Sequence, residues 1–106
     1  MSVNFSSQAK DYIKNNHIKY LLLEVDTIEE GCTAIYNPNL KILSKNMNSE
    51  NVIENIETED IQLFISKDFT SIFGTQNQFD LDLVGFFEKV LTITNIEAKT
   101  KNICKV

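Results

Sequence analysis

The sequence predicts an α+β fold: a small, mostly antiparallel or mixed sheet of short strands, with an N-terminal helix and one short internal helix. Two observations support it. Short β-branched or alternating apolar segments recur along the chain, and helical apolar spacing occurs in only two places. At 106 residues the chain is long enough for one domain and too short for two ordinary ones, so we expect residues 1–106 to form a single domain.

The first third of the chain predicts a helix and then a buried strand. Ser6-Ser7 can cap a helix over about residues 6–16, in which apolar residues recur at the i, i+3, i+4 spacing. The next segment, IKYLLLEVD (residues 18–26), is rich in leucine and β-branched residues and is too short for a second helix. We therefore expect a strand that is buried on most of both faces.

The middle of the chain predicts a hairpin followed by an irregular region. After an acidic turn at 27–31, the apolar segments CTAIY and LKIL flank the turn residues Asn37-Pro38-Asn39. Residues 44–60 are mostly polar. We expect a loop or an irregular strand there, and the most mobile part of the chain.

The second half alternates between strand and helix signals. IQLFIS (61–66) predicts a strand, and KDFTSIFG (67–74) predicts a short helix that ends at its glycine. FDLDLV (79–84) alternates strictly, and KVLTITNI (89–96) predicts the last strand.

Residues 97–106, EAKTKNICKV, offer few apolar anchors among three lysines. We expect a loosely packed tail, because little burial opposes the entropy of ordering it.

The alternation patterns also predict which side chains form the core. The expected core residues are Leu21, Leu23, Val25, Ile35, Leu63, Ile65, Phe79, Leu81, Leu83, Leu91 and Ile93.

Composition excludes several classes of function. The net charge is −5 and all ten basic residues are scattered lysines, so we expect no nucleic-acid partner. No run of apolar residues is long enough to cross a membrane, so we expect no membrane partner. The N-terminal residues lack the features of a secretory signal, and a cytoplasmic location is the expectation.

The two cysteines are candidate site residues. Cys32 follows Gly31 at the start of a predicted strand, where a thiol can be exposed and ligate a metal; a buried small apolar side chain is the plainer alternative. Cys104 lies in the tail, where a core role is harder to argue, and it either accepts and releases a ligand or has no role.

Three other titratable residues carry weaker signals. Asp80 and Asp82 share one strand face, roughly 7 Å apart by strand geometry, and could act as acid and base. A solvated face is the simpler interpretation, because nothing apolar surrounds them to shift a pKa. His17 lies at a helix end, where it suits the helix dipole better than catalysis. We therefore expect no enzyme.

Taken together, these features resemble the HesB/IscA-like family of A-type iron–sulfur carriers. The family's opening S-x-x-A helix and leucine-rich strand match SSQA and YLLLEVD, and its G-C-[ST]-G motif matches Gly31-Cys32-Thr33, with Ala34 in place of the last glycine. Its closing C-G-C falls on Asn102-Ile103-Cys104, so one of three ligand cysteines is absent.

The resemblance implies that Cys32 and Cys104 bind iron or a [2Fe–2S] cluster, flanked by Gly31, Thr33 and Asn102. One chain supplies two thiolates and a twofold homodimer supplies four, the number such a cluster usually needs. Iron–sulfur assembly or client proteins would be the partners. The alternative is a structural or protein-interaction member of the fold without a cluster.

The resemblance also implies that the last strand brings Cys104 towards Cys32, 72 positions earlier in the chain. Cluster ligation, a disulfide and two unrelated thiols are then the three possible roles. A stable disulfide is disfavoured if the protein is cytoplasmic. We expect Cys32 near the mouth of a shallow site.

Overall fold

The computed structural model describes residues 2–46, 52–58 and 60–104. Among these residues, eight strands form two sheets that pack with two helices, which confirms the predicted α+β fold. The elements are β1 (Ser2–Phe5), α1 (Ser7–Asn15), β2 (Tyr20–Glu30), β3 (Thr33–Leu43), β4 (Val52–Thr58), β5 (Ile61–Ser66), α2 (Lys67–Phe73), β6 (Gln78–Val84), β7 (Val90–Ile93) and β8 (Lys99–Asn102).

Both sheets are mixed. The larger has the order β4-β5-β2-β3-β8, in which only β2 and β5 are parallel. The smaller has the order β1-β6-β7, in which β1 runs parallel to β6 and β7 antiparallel to it. The sequence did not predict β1, because its four residues carry no recognisable apolar run.

One cluster of buried side chains draws on both sheets and both helices. Most of the predicted core residues belong to it, whereas Val25, Ile35 and Leu83 are only partly buried. The leucine-rich strand is buried on two faces, as predicted, because Leu22 is buried as well as its neighbours. The core residues that the prediction missed are Ala9, Ile13, Ile18, Leu22, Ala34, Ile61, Phe64, Phe69 and Phe73.

The start of α1 is anchored to β6 through Ser6. The Ser6 hydroxyl accepts a hydrogen bond from the Ala9 N–H at 3.0 Å, which caps the helix. The same hydroxyl donates to Asp82 Oδ1 at 2.5 Å, and the Ser6 N–H donates to the Leu81 carbonyl at 3.0 Å. The predicted helix is confirmed, and its cap also fixes its position on the smaller sheet.

The end of α1 is a Schellman turn built around His17. The N–H of His17 donates to the Lys14 carbonyl at 3.3 Å, and the N–H of Ile18 donates to the Ile13 carbonyl at 3.0 Å. His17 has φ +53°, the left-handed region that favours glycine, and its side chain is exposed.

Replacing His17 by glycine should therefore stabilise the protein by about 0.5–1 kcal/mol, because glycine adopts this φ without the steric cost that a Cβ brings. Urea unfolding of the purified variant measures the change. His17→Ala is the matched control, since it removes the imidazole and keeps the Cβ. Equal stability of the two variants would contradict the backbone explanation.

The hairpin around Cys32 differs from the prediction. β2 continues to Glu30 and β3 runs unbroken from Thr33 to Leu43, so the turn lies at Gly31-Cys32 and not at Asn37-Pro38-Asn39. The physical reason is pairing: all eleven residues of β3 find partners on β2, and this ladder overrides the local turn preference of residues 37–39.

Pro38 is tolerated inside β3 because of its place in the sheet. It pairs with Val25 of β2, while β8 covers β3 only from Thr33 to Tyr36. β3 is therefore an edge strand at Pro38, the position where a missing backbone N–H costs least.

Part of the polar region 44–60 is a strand. β4 (Val52–Thr58) pairs antiparallel with β5, with a register shift between Val52 and Glu54. This corresponds to the irregular strand that was one of the two alternatives. Residues 47–51 and 59 lie outside the described residues.

Helix α2 contributes two rings to an aromatic cluster in the core. Ser66 caps it by accepting from the Phe69 N–H at 3.1 Å, and Gly74 ends it at φ +80°. The Phe69 ring is fully buried, with its centroid 4.9 Å from Phe73 and 6.3 Å from Phe79. The short internal helix is thus confirmed.

The β6–β7 turn leaves two aromatic rings in solvent. Phe86 is 92% exposed and Phe87 is 97% exposed, and their rings contact each other edge to face at 4.9 Å. Gly85, at φ +146°, is required here, since a Cβ would lie 2.0 Å from the Glu88 carbonyl oxygen. These two rings contribute nothing to the core.

The tail contains a strand that the sequence did not predict. β8 (Lys99–Asn102) pairs antiparallel with β3, and all four of its side chains are exposed. Lys99 Nζ donates to the Ile72 carbonyl at 3.1 Å, which connects β8 to α2. The loose packing of residues 97–106 stays a prediction, which amide hydrogen exchange would test. Residues 105 and 106 lie outside the described part of the chain.

Candidate functional site

The β2–β3 turn presents Cys32 at the end of the larger sheet. The turn consists of two residues between the last β2–β3 pair, Glu30 and Thr33. Gly31 has φ +57° and Cys32 does not have positive φ, the pattern of a type II′ hairpin turn. Cys32 is exposed, so the alternative of a buried small apolar side chain is wrong.

β8 delivers Cys104 to the same end of the sheet. Thr33 pairs with Asn102, and the Ile103 N–H extends the ladder by donating to the Cys32 carbonyl at 2.8 Å. The Asn102 side-chain oxygen then accepts from the Cys104 N–H at 3.0 Å. This last bond turns the chain so that Cys104 comes beside Cys32.

The two cysteines form a disulfide. Their Cα atoms are 4.9 Å apart across 72 positions of sequence, and both residues are exposed. Of the three roles that the sequence left open for this pair, the structure has the disulfide, and the preference against it was conditional on a cytoplasmic location. The β3–β8 pairing is the physical reason, since it holds the two sulfur atoms within bonding distance.

The three predicted flanking residues, Gly31, Thr33 and Asn102, stabilise the backbone around the disulfide. Gly31 supplies the positive φ of the turn, and Thr33 and Asn102 form the last regular pair of the ladder. Asn102, which stands where the family motif has a cysteine, orients Cys104 through a hydrogen bond. The sequence predicted these site residues but not β8, because its polar residues KTKN have no strand pattern.

The donor set at this site consists of two sulfur atoms. Among the residues that the structure describes, no group of three or more histidine, cysteine, aspartate or glutamate side chains is placed to hold a metal ion. Reduction of the disulfide by two electrons and two protons would give two adjacent thiols. A single chain then offers two ligands, which fits half of a [2Fe–2S] ligand set.

Asp80 and Asp82 are engaged in hydrogen bonds elsewhere. Asp80 accepts from Asn4 Nδ2 at 3.0 Å and from Gln78 Nε2 at 2.7 Å, and these bonds lower the pKa of its carboxyl. The Ser6 hydroxyl, followed by the Leu83 N–H, lowers the pKa of the Asp82 carboxyl. Both carboxylates hold the N-terminal segment on β6.

The stability of the protein should therefore fall as the pH drops below the ordinary aspartate pKa of 3.8. A carboxyl whose pKa is lower in the folded than in the unfolded state stabilises above the unfolded-state pKa. That contribution is lost as the pH falls through the folded-state pKa. Thermal unfolding between neutral pH and pH 3 measures the loss.

Asp82→Asn should lose less stability over that interval than the parent, because its side chain no longer titrates. Asp26→Asn, on exposed β2 surface outside these hydrogen bonds, is the control and should follow the parent curve. If Asp82→Asn also follows the parent curve, the Ser6–Asp82 bond does not account for the acid sensitivity.

Sequence comparison identifies the family. The family model described as the CC/Se motif containing family matches residues 1–96. The chain belongs to this family. The match includes Cys32 and ends before Cys104, so the second cysteine lies beyond the matched region, and the two cysteines are not consecutive in the sequence.

Solved structures show the same fold for the CC/Se chain. The crystal structure of Escherichia coli SufA, which is involved in biosynthesis of iron–sulfur clusters, matches with a TM-score of 0.58 and 15% identity over 89% of this chain and 80% of that one. The crystal structure of IscA with the [2Fe–2S] cluster matches with a TM-score of 0.55 and 12% identity over 88% and 81%. The HesB/IscA-like resemblance thus holds for the fold.

No curated protein matches this chain in sequence. Within residues 2–46, 52–58 and 60–104, neither helix has the length and apolar character needed to cross a membrane.

Proposed function

We propose that the reduced protein carries iron or a [2Fe–2S] cluster as cargo on the thiolates of Cys32 and Cys104. The observation that carries the proposal is their juxtaposition: residues 72 positions apart meet at the exposed end of a hairpin. An exposed thiol pair can accept and release a metal, whereas a buried pair could do neither without unfolding.

Ligand number requires a second chain. A [2Fe–2S] cluster usually takes four protein ligands, and one chain offers two. We propose a homodimer in which each chain gives Cys32 and Cys104. Asn102 adds no ligand, since its side-chain oxygen accepts from the Cys104 N–H and an amide is a weak donor for iron.

The disulfide is the form that cannot carry the cargo. Ligation needs thiolates, so a dithiol reductant must first transfer two electrons and two protons to the bond; metal binding then displaces the protons. A cytoplasmic location would favour this reduced form. The fold shared with SufA and IscA supports the proposal, and assembly or client proteins are the partners that it implies.

Anaerobic reconstitution tests the proposal. The reduced protein, treated with ferrous iron and sulfide, should turn brown and retain about one cluster per two chains, which iron and sulfide assays and size exclusion measure. The matched control is the same protein with its disulfide intact, which should stay colourless. Cys32→Ser that binds as much iron as the parent would contradict the proposal.

A second function is favoured by the disulfide itself. If the bond persists under the reducing conditions of the cell, the protein is a cross-linked binding or structural domain without cargo. Alkylation of the cysteines in cell extracts distinguishes the two, because only the reduced form reacts. Neither function involves catalysis by Asp80, Asp82 or His17.

A further inference from the structure

The outer edge of β7 lacks the features that usually keep the edge of a sheet from pairing. Among the described residues, β7 pairs only with β6 and is the last strand of the smaller sheet. Edge strands are commonly protected by lysine, by proline or by a bulge. The four residues of β7, VLTI, contain no charge and no proline, and three of them are β-branched. This edge is therefore suited to the addition of another strand.

The backbone groups that β7 turns outwards follow from its ladder with β6. The Thr94 N–H donates to the Asp80 carbonyl at 2.8 Å, which fixes the alternation of this antiparallel pair. The residues two and four positions before Thr94 therefore direct their N–H and C=O groups to β6. Leu91 and Ile93 direct theirs away from it, towards the open side of the strand.

The turn before β7 adds an apolar surface to this edge. Phe86 and Phe87 are almost fully exposed, and Val84 and Val90 on either side of them are 46% and 55% exposed. Complete burial of two phenylalanines removes roughly 300–500 Å² of surface from water. Twice that area, from two chains, approaches the roughly 1,000 Å² that a specific interface needs, before the strand pairing is counted. Two copies of this surface can thus supply a small interface.

Charge does not oppose the meeting of two copies here. The protein has a net charge of −5, but residues 84–93 carry one glutamate, Glu88, and one lysine, Lys89. This segment has no basic cluster that would attract an anionic membrane surface. A strand that pairs antiparallel with its own copy generates a twofold axis, which closes the assembly at two chains. A second copy of the chain is therefore the partner that this surface fits.

We propose that two chains associate through β7 in an antiparallel arrangement, which joins their three-stranded sheets into one continuous sheet. With Thr92 opposite its counterpart, Leu91 of each copy forms a hydrogen-bonded pair with Ile93 of the other. Phe86 and Phe87 then lie towards the segment that follows β7 in the other copy. The interface does not include the disulfide, and the proposal is independent of the iron–sulfur cargo.

Sedimentation equilibrium of the metal-free, disulfide-bonded protein tests the proposal. An interface of this size should give a monomer–dimer dissociation constant on the order of 100 µM, as weak complexes do. Amide hydrogen exchange tests the register. Exchange at Leu91 and Ile93 should slow as the protein concentration rises, because the dimer bonds these amides. Exchange at Thr92, whose N–H is directed to β6 in the monomer as well, should change less.

Thr92→Lys tests the strand pairing, because it places two like charges directly opposite each other across the axis. It should weaken association at least about tenfold. Thr100→Lys makes the same change on β8, where the side chain is exposed and outside the interface, and this control should associate as the parent does.

Phe86→Ala/Phe87→Ala removes the aromatic surface and leaves the sequence of β7 unchanged. It should also weaken association at least about tenfold. Circular dichroism checks that each variant is folded. If Thr92→Lys does not fold, the double phenylalanine variant still decides the result.

The proposal is overturned by a protein that stays monomeric up to millimolar concentration, or by exchange protection that rises with concentration only outside residues 86–93. Equal association of Thr92→Lys and Thr100→Lys would overturn it, as would a double phenylalanine variant that associates like the parent. Binding of a monomer to phosphatidylcholine vesicles through the two rings would also overturn it, since a lipid surface would then be the partner. A protein that dimerises only after iron and sulfide are added would refute this interface and leave the proposed cargo function intact.

Discussion

Phe69→Ala is expected to destabilise the protein by about 3–5 kcal/mol, the loss that follows when a buried phenylalanine is truncated and leaves a cavity. Phe69 is completely buried, and its ring lies against Phe73 of its own helix and Phe79 of the smaller sheet. Removing the ring deletes the aromatic contact between α2 and Phe79 of β6. Because domains of this size have about 5–15 kcal/mol of stability, the variant should lose a large share of it.

Urea unfolding followed by circular dichroism measures the change. Phe86→Ala removes the same ring from a residue that is 92% exposed and should alter the free energy of unfolding by no more than about 0.5 kcal/mol. The two variants differ only in the burial of the ring, so similar losses in both would show that the aromatic cluster is not the centre of the core.

Loss of the disulfide is expected to lower the free energy of unfolding by a similar amount, because the cross-link restricts the conformations of the unfolded chain. Cys104→Ser should lower the free energy of unfolding under oxidising conditions by about 4 kcal/mol, the loop-closure entropy of a cross-link that spans 72 residues. The folded core should change little, since both cysteines are exposed and β8 buries no side chain.

The parent protein with added reductant provides the control for this variant and should unfold at the same urea concentration as Cys104→Ser. Hydrogen exchange gives a second measurement. Amides of residues 99–102 should exchange faster once the bond is absent, while β2 and β5 keep their protection. A parent protein whose unfolding midpoint is indifferent to reductant would contradict the cross-link's role.

The sequence predicted those elements whose signals are local and strong. The cap at Ser6, the stop at Gly74 and the alternation of residues 79–84 each fix an element through interactions with near neighbours, and the structure has all three. β1 and β8 were missed because each has only four residues and no clear apolar pattern. Such a segment becomes a strand only when a longer partner strand supplies its hydrogen bonds.

The hairpin shows how a strong local signal can mislead. Asn37-Pro38-Asn39 has the composition of a turn, yet its residues pair with β2 along the full length of β3. The glycine at position 31 was the better indicator, since its positive φ is what a two-residue turn needs.

The candidate site was predictable in its residues but not in its chemistry. The family resemblance implied that Cys104 approaches Cys32, and the structure brings them together. The bond between them depends on the register of β8 and on the hydrogen bond from the Cys104 N–H to the Asn102 side chain. Neither feature can be predicted from the sequence of the tail.

The exposed side of β3 also bears on how the protein avoids aggregation. Beyond Tyr36 no strand among the described residues pairs with the outer side of β3, so a strand of another molecule could add there. Pro38 interrupts that edge and Lys41 places a charge beside it, while β8 carries Lys101 on the covered half. These residues oppose edge-to-edge addition of a strand from another molecule.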